Sequence, residues 1–130
     1  MATQIKPTAV LVDDHPAFLA AVNSILRVQL EILACVSDGR LALKAVAAFQ
    51  PQIVILDVMM SGWDGFETAT HILRASPATR VLFLSVIEDA DFIAKAREMG
   101  AGYVVKSHMG CELLPAVLQM LSGELFFSRL

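Results

Sequence analysis

Five short apolar runs, each followed by a longer amphipathic stretch, constrain this chain more than any other feature. The runs are Ala9–Val12, Ile32–Val36, Ile53–Leu56, Val81–Leu84 and Tyr103–Val105. They are short, with few polar residues alternating in them, which is the pattern of strands covered on both faces. The stretches between and after them carry apolar residues at helical spacing and predict helices over Pro16–Leu30, Arg40–Phe49, Phe66–Ala75, Ala90–Met99 and Cys111–Ser122. In the first, Phe18, Val22, Ile25 and Leu26 share a face. Pro16 suits a first helical turn, where its missing N–H costs nothing. Ser37-Asp38-Gly39 reads as a turn that also caps the second helix. Pro51 and Pro77 interrupt the pattern, and Gly100 and Gly123 close the fourth and fifth helices. Pro115 fits the last helix only if it lies in the first turn.

A (βα) unit repeated five times predicts an α/β fold, a doubly wound parallel sheet with helices on both faces. Right-handed crossovers leave few topologies, and the flavodoxin-like strand order 2-1-3-4-5 is the natural choice. In such a sheet ligands bind beyond the carboxyl ends of the strands, near the switch between strands 1 and 3. At 130 residues the chain is one domain. Its net charge of −3 and ten dispersed Lys and Arg argue against a nucleic-acid surface. Hydrophobic residues make up 56%, yet no run approaches the roughly 20 residues of a membrane span. The excess fits buried strands and an apolar partner surface. Residues 1–7 lack the apolar core of a signal peptide, which predicts a cytoplasmic location.

The polar residues at the strand ends carry the chemistry. Asp13 and Asp14 follow strand 1, Asp57 follows strand 3, Ser85 follows strand 4 and Lys106 follows strand 5. Three carboxylates on one edge repel one another, and a divalent cation would relieve that. Mg²⁺ takes oxygen ligands and keeps several waters, so Asp13, Asp14, Asp57 and the backbone carbonyl of Met59 could hold it. A carboxylate such as Asp57 can attack phosphorus to give an acyl phosphate. Lys106 supplies a cation for the transferring oxygens, and Ser85 a hydroxyl that can donate to them.

Val12-Asp13-Asp14-His15, Ile55-Leu56-Asp57, Gly62-x-Asp64-Gly65, Leu84-Ser85 and Gly100-Ala101-Gly102-Tyr103-Val104-Val105-Lys106 occur in that order at strand ends and in the loops beside them. Over roughly residues 8–122 the chain resembles the receiver domain of bacterial two-component response regulators. The resemblance implies that Asp57 is the phosphoacceptor, modified by a sensor histidine kinase, and that Asp14 and Asp13 bind Mg²⁺ with the Met59 carbonyl. It implies that Lys106 and Ser85 contact the phosphoryl group. Tyr103 falls at the switch-aromatic position, so that Ser85 and Tyr103 would move together and reshape the face of helix 4, strand 5 and helix 5. The Asp-Asp-His opening, the Gly-Tyr-x-x-Lys ending and the tail Gly123-Glu124-Leu125-Phe126-Phe127-Ser128 resemble the NarL/FixJ (LuxR-type) branch. Members of that branch usually bind DNA through a C-terminal helix-turn-helix domain, which these 130 residues do not include. Ser61 stands where the family commonly has proline. Met59 and Ile87 hold two variable positions thought to govern water access, and both are apolar, which predicts slow autodephosphorylation.

The resulting expectation is a receiver domain over residues 1–122, with 123–130 as the start of a linker to an absent output domain or a C-terminal tail. Phe126 and Phe127 look exposed there, with nothing to pack against, and the linker is favoured over an edge tucked onto helix 5. The domain is a switch that takes part in its own phosphorylation and dephosphorylation, with transcription regulation as its output. A phosphorylation-independent interaction module is the alternative. A Mg²⁺-dependent aspartyl-phosphate phosphatase is less favoured, since it needs a second acid, for which only Asp64 offers, and a substrate cap. Spare apolar surface suggests a homodimer through helix 1, helix 5 or the helix 4–strand 5–helix 5 face. Cys35 and Cys111 lack metal-ligand spacing and read as buried or half-buried thiols. His15, directed into helix 1, and His71 and His108 read as incidental.

Overall fold

The computed structural model describes residues 5–130, so the first four residues of the expected domain and leader lie outside it. Five strands alternate with five helices: β1 (Thr8–Val12), α1 (Pro16–Leu26), β2 (Glu31–Val36), α2 (Gly39–Phe49), β3 (Ile53–Leu56), α3 (Gly65–Ala75), β4 (Arg80–Ser85), α4 (Ala90–Glu98), β5 (Gly102–Val105) and α5 (Met109–Leu121). All neighbouring strands are parallel, in the predicted order β2-β1-β3-β4-β5. Strand alternation divides the core in two. Val10, Val12, Val54, Leu56, Phe83 and Tyr103 pack under α2, α3 and α4. Ala9, Leu11, Ile53, Ile55, Leu82 and Val104 pack under α1 and α5. β2 is the exception to burial on both faces: it is an edge strand that stays half-exposed, whereas β5, the other edge, is buried.

Local signals explain most element boundaries. Asp38 caps α2 by accepting from the Leu41 amide at 2.8 Å, and Asp64 caps α3 through the Glu67 amide at 2.9 Å. Gly100 takes the left-handed conformation after α4, with φ of 74°. α1 is shorter than its apolar pattern predicts. It ends at Leu26, and the chain turns so that Leu30 anchors in the core while Val28 is left exposed.

Pro115 is a correction. α5 begins at Met109, after a 3₁₀ turn over Lys106–His108, so Pro115 lies in the helix interior rather than its first turn. It deprives the Cys111 carbonyl of an amide partner, but both residues are on the exposed side, where water can serve that carbonyl.

The tail is a second correction. Phe126 and Phe127 are half-buried against the two cores. The segment lies along β5: the Tyr103 amide donates to the Phe126 carbonyl and the Ser128 amide to the Tyr103 carbonyl, each at 2.9 Å. Ser128 is buried, and its hydroxyl receives the Val105 amide at 2.9 Å and donates to Glu112 Oε1 at 2.7 Å. Arg97 lies over the Phe127 ring, 4.4 Å from its centre. The cysteines also differ from expectation: both are free and exposed, Cys35 because it stands on the edge strand.

Candidate functional site

The last hydrogen bonds of the parallel ladder set two acids side by side. The Asp13 amide donates to the Val36 carbonyl at 3.1 Å, and the Asp57 amide to the Val12 carbonyl at 3.0 Å. Beyond those bonds the strands end and the side chains meet. Lys106, delivered from the end of β5, donates from Nζ to Asp13 Oδ2 at 2.8 Å and to Asp57 Oδ2 at 3.3 Å. Asp13, Asp57 and Lys106 are 5%, 3% and 7% exposed. Groups of this kind are buried only when paired, and here one ammonium serves two carboxylates.

That count leaves an excess of negative charge. Burial pushes the Asp57 carboxyl above the ordinary carboxylate range, and the Asp13 charge pushes it further. Lys106 and the Met59 amide pull it back only in part. Asp14, at the mouth, has an enclosed Oδ1 with no hydrogen bond; His15 Nδ1 lies 2.9 Å away but is poorly aligned to donate. Ligand atoms of Asp13, Asp14, His15 and Asp57 all lie within 4.8 Å of one another. A mostly carboxylate donor set with one unpartnered oxygen suits a hard divalent cation such as Mg²⁺. Met59 reaches the site through its backbone amide, which donates to Asp57 Oδ1 at 3.2 Å.

The loop after Asp57 is held by a close backbone approach. The Gly65 amide donates to the Val58 carbonyl at 2.8 Å. A Cβ on Gly65 would overlap the Asp57 carbonyl oxygen and come within 2.6 Å of Val58 Cα. Only glycine lets α3 start this close to the acid. Asp64, the second acid a phosphatase would need, has its carboxylate engaged as the α3 cap.

Ser85 and Tyr103 form a neighbouring group joined through Ile87. Ser85 Oγ accepts from the Ile87 amide at 3.1 Å, and its hydroxyl also lies against the Tyr103 hydroxyl, whose pKa it pulls down against the larger effect of burial. The Tyr103 hydroxyl donates to the Ile87 carbonyl at 2.7 Å, and the ring is fully buried beside Phe83. Burial is the main cause that raises the Tyr103 pKa. The Tyr103 ring thus lies inside the domain, with its hydroxyl held by the Ile87 carbonyl.

Two aromatic contacts escaped the sequence pattern. Phe18 is half-buried rather than core, and Lys106 Nζ sits over its ring, 4.1 Å from the centre. Trp63 stacks on His71 with centroids 4.0 Å apart, and Arg40 lies over it at 4.5 Å, so His71 has a partner. His15 also differs from its reading. As the residue before α1, it turns its ring to the acids, with Nδ1 3.2 Å from Asp13 Oδ1. The adjacency to the acid pair was the one available signal. His108 pairs with Glu112 at 3.0 Å. Among the described residues no helix is long and apolar enough to cross a membrane.

Residues 9–118 match the response regulator receiver domain family. The chain is 28% identical to the nitrate/nitrite response regulator protein NarL of Escherichia coli (strain K12) over 132 aligned residues, covering 99% of this chain and 61% of that protein. It thus spans about three fifths of the length of that relative. A two-component response regulator of the LuxR family from Aurantimonas sp. SI85-9A1 superposes with a TM-score of 0.87 at 31% identity, over 94% of this chain and 89% of the other. The signal receiver domain of the putative response regulator NarL from Mycobacterium tuberculosis gives 0.81 at 29% identity, over 93% of this chain and all of the other.

Proposed function

Since this chain belongs to the response regulator receiver domain family of two-component systems, with NarL- and LuxR-type relatives, we propose that Asp57 is its phosphoacceptor. The supporting observation is that Asp57 is buried between Asp13 and Lys106 with its pKa raised by that burial. In the proposed reaction an Asp57 oxygen attacks the phosphorus of a phosphohistidine on a sensor histidine kinase. The P–N bond breaks, its electron pair returns to the imidazole, and an acyl phosphate forms on Asp57. Lys106 shifts from the carboxylate to a phosphoryl oxygen, and the Ser85 hydroxyl turns from Tyr103 and Ile87 to donate to another. Asp13, Asp14, Asp57 and the Met59 carbonyl would hold Mg²⁺, which when bound supplies positive charge against the carboxylates and the phosphoryl oxygens.

The signal leaves the site through Ser85. When its hydroxyl turns, the Ile87 amide loses its acceptor, and Ile87 also holds Tyr103. A population shift in that group biases the α4–β5–α5 face. Residues 1–122 are assigned to the receiver and 123–130 to the start of a linker or tail. Output is regulation of transcription in the cytoplasm, with DNA bound through a separate helix-turn-helix domain. Homodimerisation uses α1, α5 or the α4–β5–α5 face. The apolar Met59 and Ile87 favour a long-lived phosphoryl group, and its loss within seconds would contradict that.

The test is incubation with acetyl phosphate and Mg²⁺, followed by intact mass measurement. The wild type gains one phosphoryl group and Asp57→Asn gains none. A wild type that gains none overturns the phosphoacceptor reading in favour of a phosphorylation-independent module.

A further inference from the structure

We propose that Phe18 is a positioning residue for phosphoryl transfer, holding the Lys106 ammonium over the acid site with the face of its ring. The proposal rests on the phosphoacceptor reading of Asp57. Phe18 lies four residues before Val22, on the helical face that buries Val22 and Leu26, yet it is absent from both cores and only half-buried. Helical side chains lean toward the helix amino end. A large one in the first turn of α1 therefore reaches back over the carboxyl end of β1, where Lys106 arrives.

An ammonium has three N–H donors. Asp13 Oδ2 at 2.8 Å and Asp57 Oδ2 at 3.3 Å account for two. The Phe18 ring centre lies 4.1 Å from Nζ, within reach of the third. The lysine side chain is 4% exposed, so the cation against the ring is desolvated. A desolvated ammonium is attracted to the negative face of an aromatic ring. That attraction has little directional demand, unlike a third carboxylate or carbonyl, which would compete with the phosphoryl group for the cation. Lys106 can thus move from Asp57 to a phosphoryl oxygen while keeping its support. His15 makes a T-shaped contact with the same ring, with centroids 6.3 Å apart and planes at 80°.

Three measurements test this on the intact chain. The rate constant of phosphorylation by acetyl phosphate should fall about threefold to tenfold in Phe18→Leu and recover in Phe18→Tyr. The Lys106 ε-methylene resonances should lie upfield in the wild type through the ring current, and lose that shift in Phe18→Leu. Stepwise ring fluorination at position 18 drains the ring face of charge at nearly constant shape. It should lower the rate in order of fluorine content even if the leucine variant does not fold. Wild-type phosphorylation with rates unchanged by leucine or by fluorination overturns the positioning role alone. A wild type that takes no phosphoryl group overturns this proposal and the phosphoacceptor reading together.

Discussion

At the amino end of the sheet Thr8, Gln52, Ser76 and Thr79 close on one another through neutral hydrogen bonds, whereas at the carboxyl end Asp13, Asp57 and Lys106 are buried as charges. The Thr8 amide donates to Gln52 Oε1 and the Gln52 amide to Thr8 Oγ1, both at 3.1 Å. Thr79 Oγ1 donates to the Pro51 carbonyl at 2.9 Å and lies 2.7 Å from Ser76 Oγ. Every one of these polar atoms has a partner within the chain. At the other end one cation serves two buried carboxylates, and Asp14 Oδ1 has no hydrogen bond. The same strands therefore end in a satisfied network on one side and an unbalanced one on the other. The first serves stability; the second leaves a charge deficit that a cation can fill.

The sharpest way to break the comparison is to remove the shared cation. Lys106→Met leaves Asp13 and Asp57 buried without it and should cost about 3–5 kcal/mol, as for other broken buried pairs. The distinguishing feature is recovery. Mg²⁺ at about a hundred times its dissociation constant should return about 2.7 kcal/mol. Urea denaturation with and without Mg²⁺ measures both. A Lys106→Met variant whose own stability is the same with and without Mg²⁺ would mean that the acid edge does not bind the ion.

Thr79→Val is the matching change at the satisfied end. It removes a buried hydroxyl and deprives the Pro51 carbonyl of its donor, a loss of about 1–2 kcal/mol. The loss should be the same with and without Mg²⁺, and phosphorylation by acetyl phosphate should proceed at the wild-type rate. A Thr79→Val loss that grew or shrank with Mg²⁺ would show that the two ends are coupled through the sheet.

The asymmetry between the ends also marks what could be read from sequence. The carboxyl end was legible because parallel strands must place their terminal residues together. Asp13, Asp57 and Lys106 follow from three strand ends and one topology. Ile53–Leu56 was bounded at the residue because Pro51 and Asp57 flank it. What failed depended on pairing across long separations or on side-chain direction. Phe127 bridges to Tyr103, and no local pattern in Gly123–Leu130 announces that register. Leu30 extends the apolar period of α1 but is buried after a turn. Phe18 keeps the period too, yet its position in the first turn directs it to Lys106 rather than to the core. A hydrophobic pattern reports which face a residue is on, and not how far toward the helix end its side chain leans.

The smallest effect is the most direct test of whether the acid edge is strained, and its sign is opposite to that of most core substitutions. Burial and Asp13 raise the Asp57 pKa above its unfolded value, near 3.9 for aspartate. Between the two pKa values the folded chain binds the proton more tightly than the unfolded chain, so stability falls as pH rises through that window. Above the folded pKa the carboxylate is fully charged in both states and the whole penalty is present. Below the unfolded pKa it is neutral in both and the penalty is gone. Asp57→Asn carries no such charge, so without Mg²⁺ it should melt higher than the wild type at neutral pH, by a few degrees. The gain should shrink as pH falls and vanish below about pH 3, in the range where an unfolded aspartate is protonated. Thermal melts across that range decide it. Asn melting below wild type at neutral pH would mean that attraction to Lys106 outweighs burial and the Asp13 charge, and that the carboxyl end is as well satisfied as the amino end.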